Sequence, residues 1–194
     1  MVSCIPQHYD VVTAATQRPV SVAECRLALR IDSVDEDSQI DEWIREAVEA
    51  VETDASICLM QQTLKLTLDD FPSLIELRRY PVQSVSSITT LDTAGATATL
   101  SASTYRVVSP SRGITRITPA YGLTWPTTTL VETGGVQVTF VAGYATVQAV
   151  PAIAKSAIKC RVGMFYRERE GADAGDYEKA FNSFVSRLRM FNMV

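Results

Sequence analysis

Between Ile40 and Leu68 the apolar residues of this chain change their period, and that change limits the folds open to it. Ile40, Trp43, Ile44, Ala47, Val48, Val51 and Ala55 recur at the i, i+3, i+4, i+7 spacing of one helix face. Asp41, Glu42, Glu46, Glu49 and Glu52 lie off that stripe. From Met60 the period is two: Thr63-Leu64-Lys65-Leu66-Thr67-Leu68 alternates as a half-buried strand does. A helical run followed by a strand-rich run calls for segregated layers and not for repeated βα units.

The same reading extends along the chain. Ser21 with Glu24 three residues later forms a capping box, so a short helix is predicted from there to about Leu29. Asp32 to Asp37 reads as an acidic loop, and Asp37 or Ser38 as the cap of the longer helix, which ends near Ile57. Short strands are predicted at 74–77, 85–91, 97–100, 105–108, 114–117 and 136–141, with a long Thr-, Gly- and Pro-rich loop over 120–135. Pro151, at a favoured first-turn position, opens a third helix that is apolar almost all round. Gly171 to Gly175 reads as a flexible break before a fourth helix, from Asp176 to about Phe191, with a stripe of Tyr177, Ala180, Phe181, Phe184, Val185, Leu188 and Phe191.

The predicted fold class is therefore α+β: N- and C-terminal helices forming a small helical bundle with a central antiparallel β-rich insertion. The expected divisions are an N-terminal arm over 1–19, a helical domain over 20–59 and 151–194, and the β-rich insertion over 60–150. Trp43, Val48 and Val51 are expected to bury against the third helix around Ile158 and Phe165, since both helices carry surplus apolar surface.

With 194 residues, 46% of them hydrophobic, the chain is long enough to bury a core. A formal net charge of -4 argues against a protein built mainly to grip nucleic acid. The charge is unevenly spread: residues 1–60 hold twelve acids against four bases. Met1 to Pro6 shows no basic leader, and no run approaches the ~18 apolar residues of a membrane span, so neither a secretory signal nor a membrane anchor is expected. Cys4, Cys25, Cys58 and Cys160 are scattered, which suits reduced thiols in a cytoplasmic product.

Residues for catalysis are sparse. His8 is the single histidine, and a nucleophile–base pair would have to use it from the N-terminal arm. One histidine and four dispersed cysteines do not make a zinc site. No GxGxxG or GxxxxGK[ST] loop occurs. Asp32, Asp35, Glu36 and Asp37 lack the spacing and glycine of an EF-hand, and fit a solvated helix entry better. Asp69 and Asp70 are adjacent, so on a strand they would point to opposite faces. Arg78, Arg79, Arg112 and Arg116 are the basic residues of the middle region that could meet phosphate, but no aromatic residues interleave them as in a nucleic-acid groove. No enzyme activity, metal or cofactor is expected.

One resemblance accounts for this pattern. Pro19-Val20-Ser21-Val22-Ala23-Glu24-Cys25-Arg26-Leu27-Ala28-Leu29-Arg30-Ile31-Asp32, then Ile40, Ile44, Ala47 and Val51-Glu52, resembles the opening of the tailed-phage head–tail connector (adaptor) family. Phe71-Pro72, Tyr80-Pro81-Val82-Gln83-Ser84-Val85-Ser86-Ser87-Ile88, Trp125-Pro126 and Val138-Thr139-Phe140-Val141-Ala142-Gly143-Tyr144 are similar to members with a central β insertion. Val150-Pro151 and Tyr166-Arg167-Glu168-Arg169-Glu170 are similar to the family's last block. The resemblance covers about residues 19 to 170, and the family also occurs in phage-like particles such as gene transfer agents. It implies a structural adaptor with no catalytic residues, assembled in the host cytoplasm and located at the virion neck. Such a subunit joins a ring of about twelve copies under the portal protein, with DNA passing through the centre in non-specific contact, and presents a surface to a neck, stopper or tail terminator protein. A tail-completion or stopper neck protein is the alternative.

On this reading the candidate partner-interface residues are Trp125 in the long loop and Tyr177, Phe181, Phe184, Leu188, Phe191 and Met193 at the C-terminus. Trp125 would anchor a neighbouring subunit or the next neck protein, or else fold back on its own sheet. The C-terminal segment 176–194 would serve assembly, with docking on the portal preferred to fold-back.

Overall fold

The computed structural model describes residues 8–110, 113–169 and 171–189, and the chain divides into two compact units. One unit comprises Met1–Ala14 with Gln61–Gly143, and the other Ala15–Met60 with Tyr144–Val194. Mixed helices and antiparallel sheets make the fold α+β.

The first unit holds the strands β1 (His8–Thr13), β2 (Gln62–Leu68), β3 (Ile75–Leu77), β4 (Val82–Leu91), β5 (Thr97–Thr99), β6 (Tyr105–Val108), β7 (Thr115–Pro119) and β8 (Val136–Ala142). They form two antiparallel sheets, of order β1-β2-β8-β4-β5 and β3-β7-β6. Alternation decides the buried face. Leu64, Leu66 and Leu68 of β2 lie opposite Phe140, Val138 and Val136 of β8, and Ile88 of β4 lies opposite Val138. All of these side chains are buried, so a slip of one residue would turn the whole apolar set outward. In the smaller sheet Ile75 faces Ile117 and Leu77 faces Thr115, again all buried.

β1 corrects one expectation. Residues 8–13, read as part of an irregular arm, pair antiparallel with β2 from His8↔Thr67 to Thr13↔Thr63. The Tyr9 ring meets Phe140 edge-on at 6.2 Å, and its hydroxyl accepts a 2.9 Å hydrogen bond from the Arg78 amide. The strand HYDVVT shows no clean burial alternation, with Val11 and Val12 both exposed, so a period-two signal could not mark it.

The second unit holds α1 (Val22–Leu29), α2 (Asp37–Ala55), α3 (Ala152–Arg169) and α4 (Gly175–Leu188). The capping box at the start of α1 is formed: the Ser21 hydroxyl accepts from the Glu24 amide at 3.2 Å, and Glu24 accepts from the Ser21 amide at 2.8 Å. That bond holds the Glu24 carboxyl below its ordinary pKa. α2 begins differently from the reading above. Its N-cap is Glu36, with no side-chain capping bond, because Asp37 is drawn to Arg26 at 3.1 Å while Glu36 pairs with Arg169 at 2.9 Å.

α2 buries Ile40, Ile44, Ala47, Val51 and Ala55, the stripe read from the sequence. Val51 is fully buried, whereas Trp43 and Val48 are half-buried. Trp43 packs on α3 by its ring, 6.4 Å from the centroids of both Phe165 and Tyr166, with the Arg169 guanidinium 5.5 Å above it. Contacts pairing 36 with 169 and 43 with 165 show that α2 and α3 run antiparallel.

Candidate interaction surfaces

The residues with catalytic or ligating chemistry do not converge. His8 is exposed on β1 and pairs with Asp10 at 3.0 Å. Asp69 accepts from the Gly134 amide at 2.9 Å, and Asp70 from the Phe71 amide at 2.7 Å, so both carboxylates are engaged with local backbone. The acidic run at the entry to α2 is spent on separate partners, Asp35 on Ser33, Glu36 on Arg169 and Asp37 on Arg26. No group of three metal-ligating side chains occurs among the described residues. Burial pushes the Cys25 thiol up to about 11 and raises that of Cys160, the opposite of an activated nucleophile.

The candidate interface residues fall in two places. Trp125 stacks on Phe71, with centroids 4.8 Å apart and planes 13° from parallel, and its Nε1 is buried with no acceptor among the described residues. Trp125 thus packs on a residue of its own unit that lies between β2 and β3. The same loop puts other side chains outward: Tyr121 is 97% exposed and Leu123 51%. Gly122, at φ +77°, turns the backbone between them. Tyr121 was not singled out from the sequence, although an aromatic directly before a glycine in a polar loop is the signal that could have found it.

Tyr177, Phe181, Phe184 and Leu188 lie on α4, and the expectation that this segment stands apart from the monomer fold is corrected over 176–188. α4 folds back along α3. Phe181, Val185 and Leu188 are buried, Tyr177 and Phe184 half-buried. Tyr177 sits over Gly163 and the Arg161 guanidinium lies 5.5 Å from the Phe181 ring, which makes the two helices antiparallel. The Gly171 break is a tight closure and not an uncoupling linker: its amide donates to the Glu168 carbonyl, the Ala172 amide donates to Arg167, and Gly171 takes φ +69°. Past the end of α4, Arg189 Nε donates to the Asp54 carbonyl at 2.8 Å. Six aromatic and aliphatic side chains on a 14-residue helix need cover, and α3 is the nearest apolar face along the chain. Phe191 and Met193 lie outside the described residues.

Other exposed apolar side chains are Val107 and Val108 on the edge strand β6, Val11 and Val12 on β1, Leu27 on α1 and Val34. No described helix is long and apolar enough to cross a membrane.

Known structures resemble this arrangement over nearly its whole length. A chain from the neck of an empty gene transfer agent (GTA) particle, computed with C6 symmetry, superposes with a TM-score of 0.79 at 26% identity, over 96% of this chain and 97% of that one. A chain from the virion of a native GTA particle matches at 0.76 and 26%, with the same coverage. The fold is that of GTA neck chains. A further chain, from the neck of a native GTA particle computed with C12 symmetry, adds to the likeness of fold at a TM-score of 0.77 and 24% identity, again over 96% and 97%. Two of these neighbours come from particle necks and one from a virion. No family model matches the chain, and no curated protein does.

Proposed function

We propose that this protein is a non-enzymatic head–tail adaptor subunit. On this reading it forms a ring at the virion neck, between a portal protein and a neck, stopper or tail terminator protein, and leaves a central passage for DNA. The observation that carries the reading is the end-to-end likeness to GTA neck chains at 26% identity. The C6 symmetry of the first neighbour's particle neck supports self-association. Contact with passing DNA is weak and independent of sequence, because a chain of net charge -4 does not hold phosphate strongly.

Electron microscopy of the particle tests this directly. The adaptor reading requires the chain in a ring of about twelve copies touching the portal. Density lying beyond a separate ring, away from the portal, would assign it the role of stopper or tail-completion protein instead. Submicromolar, salt-sensitive binding of duplex DNA by the isolated protein would overturn the reading of weak DNA contact.

A further inference from the structure

Two exposed surfaces of this chain carry opposite charge, one on a sheet face and one on a helix face. In the sheet β3-β7-β6, Arg106 lies opposite Thr118, Val108 opposite Arg116, and Arg116 opposite Glu76. Alternation therefore puts Arg106, Val108, Arg116, Thr118 and Glu76 on one face, and Arg78, two residues beyond Glu76, joins them through a 3.1 Å bond to that carboxylate. Arg106, Arg116 and Arg78 step across successive strands in a diagonal row, about 8 Å apart from strand separation and rise. All three are exposed. Glu76 is shared between Arg78 at 3.1 Å and Arg116 at 3.5 Å, while Arg106 has no ion-pair partner among the described residues.

The acidic counterpart is on α2. Glu42, Glu46 and Glu49 are exposed and follow i, i+4, i+7, so they share one stripe spanning about 10 Å. Glu46 and Glu49 have no ion-pair partner among the described residues. Three like charges along one helix face repel, and Arg45, which stands beside the stripe three residues after Glu42 and four before Glu49, is drawn to Asp41 at 3.3 Å.

We propose that the arginine row of one copy docks on the Glu42–Glu46–Glu49 stripe of the next copy. The two patches differ and sit on different units of the chain, so the contact is heterologous, the kind that closes rings. This inference rests on the ring reading. A second copy fits the arginine row better than nucleic acid does. Glu76 sits within the row and Val108 lies beside Arg116, so the face offers a phosphate backbone interrupted charge but offers a helix both salt bridges and apolar contact.

The test is charge reversal with rescue, on the full-length protein, reading assembly by light scattering and ring counts in purified particles. Glu46→Lys with Glu49→Lys raises the assembly midpoint at least about tenfold, and so does Arg106→Glu with Arg116→Glu. The four changes together recover assembly to within about threefold of the unmodified chain, an outcome that misfolding cannot imitate. Rings that form equally well with either double reversal would overturn this contact and leave the ring reading standing. A chain that is monomeric both alone and in particles would overturn both. Unaltered rings together with loss of binding to a 50-base-pair duplex in R106E/R116E, a length of about five helical turns, would assign the arginine row to DNA and overturn the proposal.

Discussion

The ring of Tyr177 occupies the place where Gly163 has no side chain: a Cβ on Gly163 would lie 2.6 Å from Tyr177 Cε1 and 2.9 Å from Cδ1. This is how α3 and α4 come close, and it makes a mid-helix glycine a packing requirement. Alanine normally favours a helix over glycine by about 1 kcal/mol. Here Gly163→Ala is expected to lower stability by about 1–3 kcal/mol net, as overpacking outweighs propensity. Thermal or urea melting measures it. The double variant Gly163→Ala, Tyr177→Ala should lose less than the two single losses added together, because the clash is removed.

Truncation after Gly175 removes a helix that this chain uses for its own core. Phe181, Val185 and Leu188 leave with it, and on α3 Gly163 loses the Tyr177 ring and Arg161 the Phe181 ring. The expected outcome is a shortened protein that melts earlier and aggregates, followed by circular dichroism and sedimentation. A truncated chain with an unchanged melting temperature would show that α4 contributes nothing to the fold.

The long loop supports a pair of contrasting substitutions. Trp125→Ala unstacks Phe71 and should destabilise the first unit by about 1–3 kcal/mol, below the 3–5 kcal/mol of a fully buried tryptophan, since Trp125 is only half-buried. Tyr121→Ala touches a side chain that is 97% exposed, so its melting temperature should stay within error of the original. If the loop meets a neck partner, Tyr121→Ala lowers tail attachment in a particle assembly assay, and normal tailed particles from that variant would remove Tyr121 from the interface.

Cys25 predicts an alkaline limit to stability. Its thiol is raised by burial from 9.0 to about 11, so the folded chain favours the neutral form more than the unfolded chain does. That contribution is complete below pH 9 and is lost as pH rises through about 11. Denaturant midpoints should therefore fall between those pH values, and less so in Cys25→Ala once its own cavity cost is subtracted. At neutral pH the same thiol should react with alkylating reagents only when the chain unfolds.

Helix positions, most strand positions and the α1 cap were legible in the sequence because each depends on residues within a turn or a pleat of one another. The Ile40 to Ala55 stripe is a period, Ser21 and Glu24 are three residues apart, and Leu64, Leu66 and Leu68 alternate. The entry to α2 was not legible, since Asp37 and Glu36 answer to Arg26 and Arg169, one of them far along the chain.

For the surfaces the division is sharper. The sequence alone determined which side chains are too apolar or too charged to be indifferent: Trp125, Tyr177, Phe181, Leu188, the arginines of the middle region and the acids of α2. It could not say which of these already have a partner within the chain. Only the tertiary structure put Phe71 under Trp125, Gly163 under Tyr177 and β1 beside β2, and left Tyr121, Arg106 and Glu46 in solvent. The physical reason is that burial belongs to a pair of surfaces brought together by chain topology, whereas period, cap and charge belong to one segment.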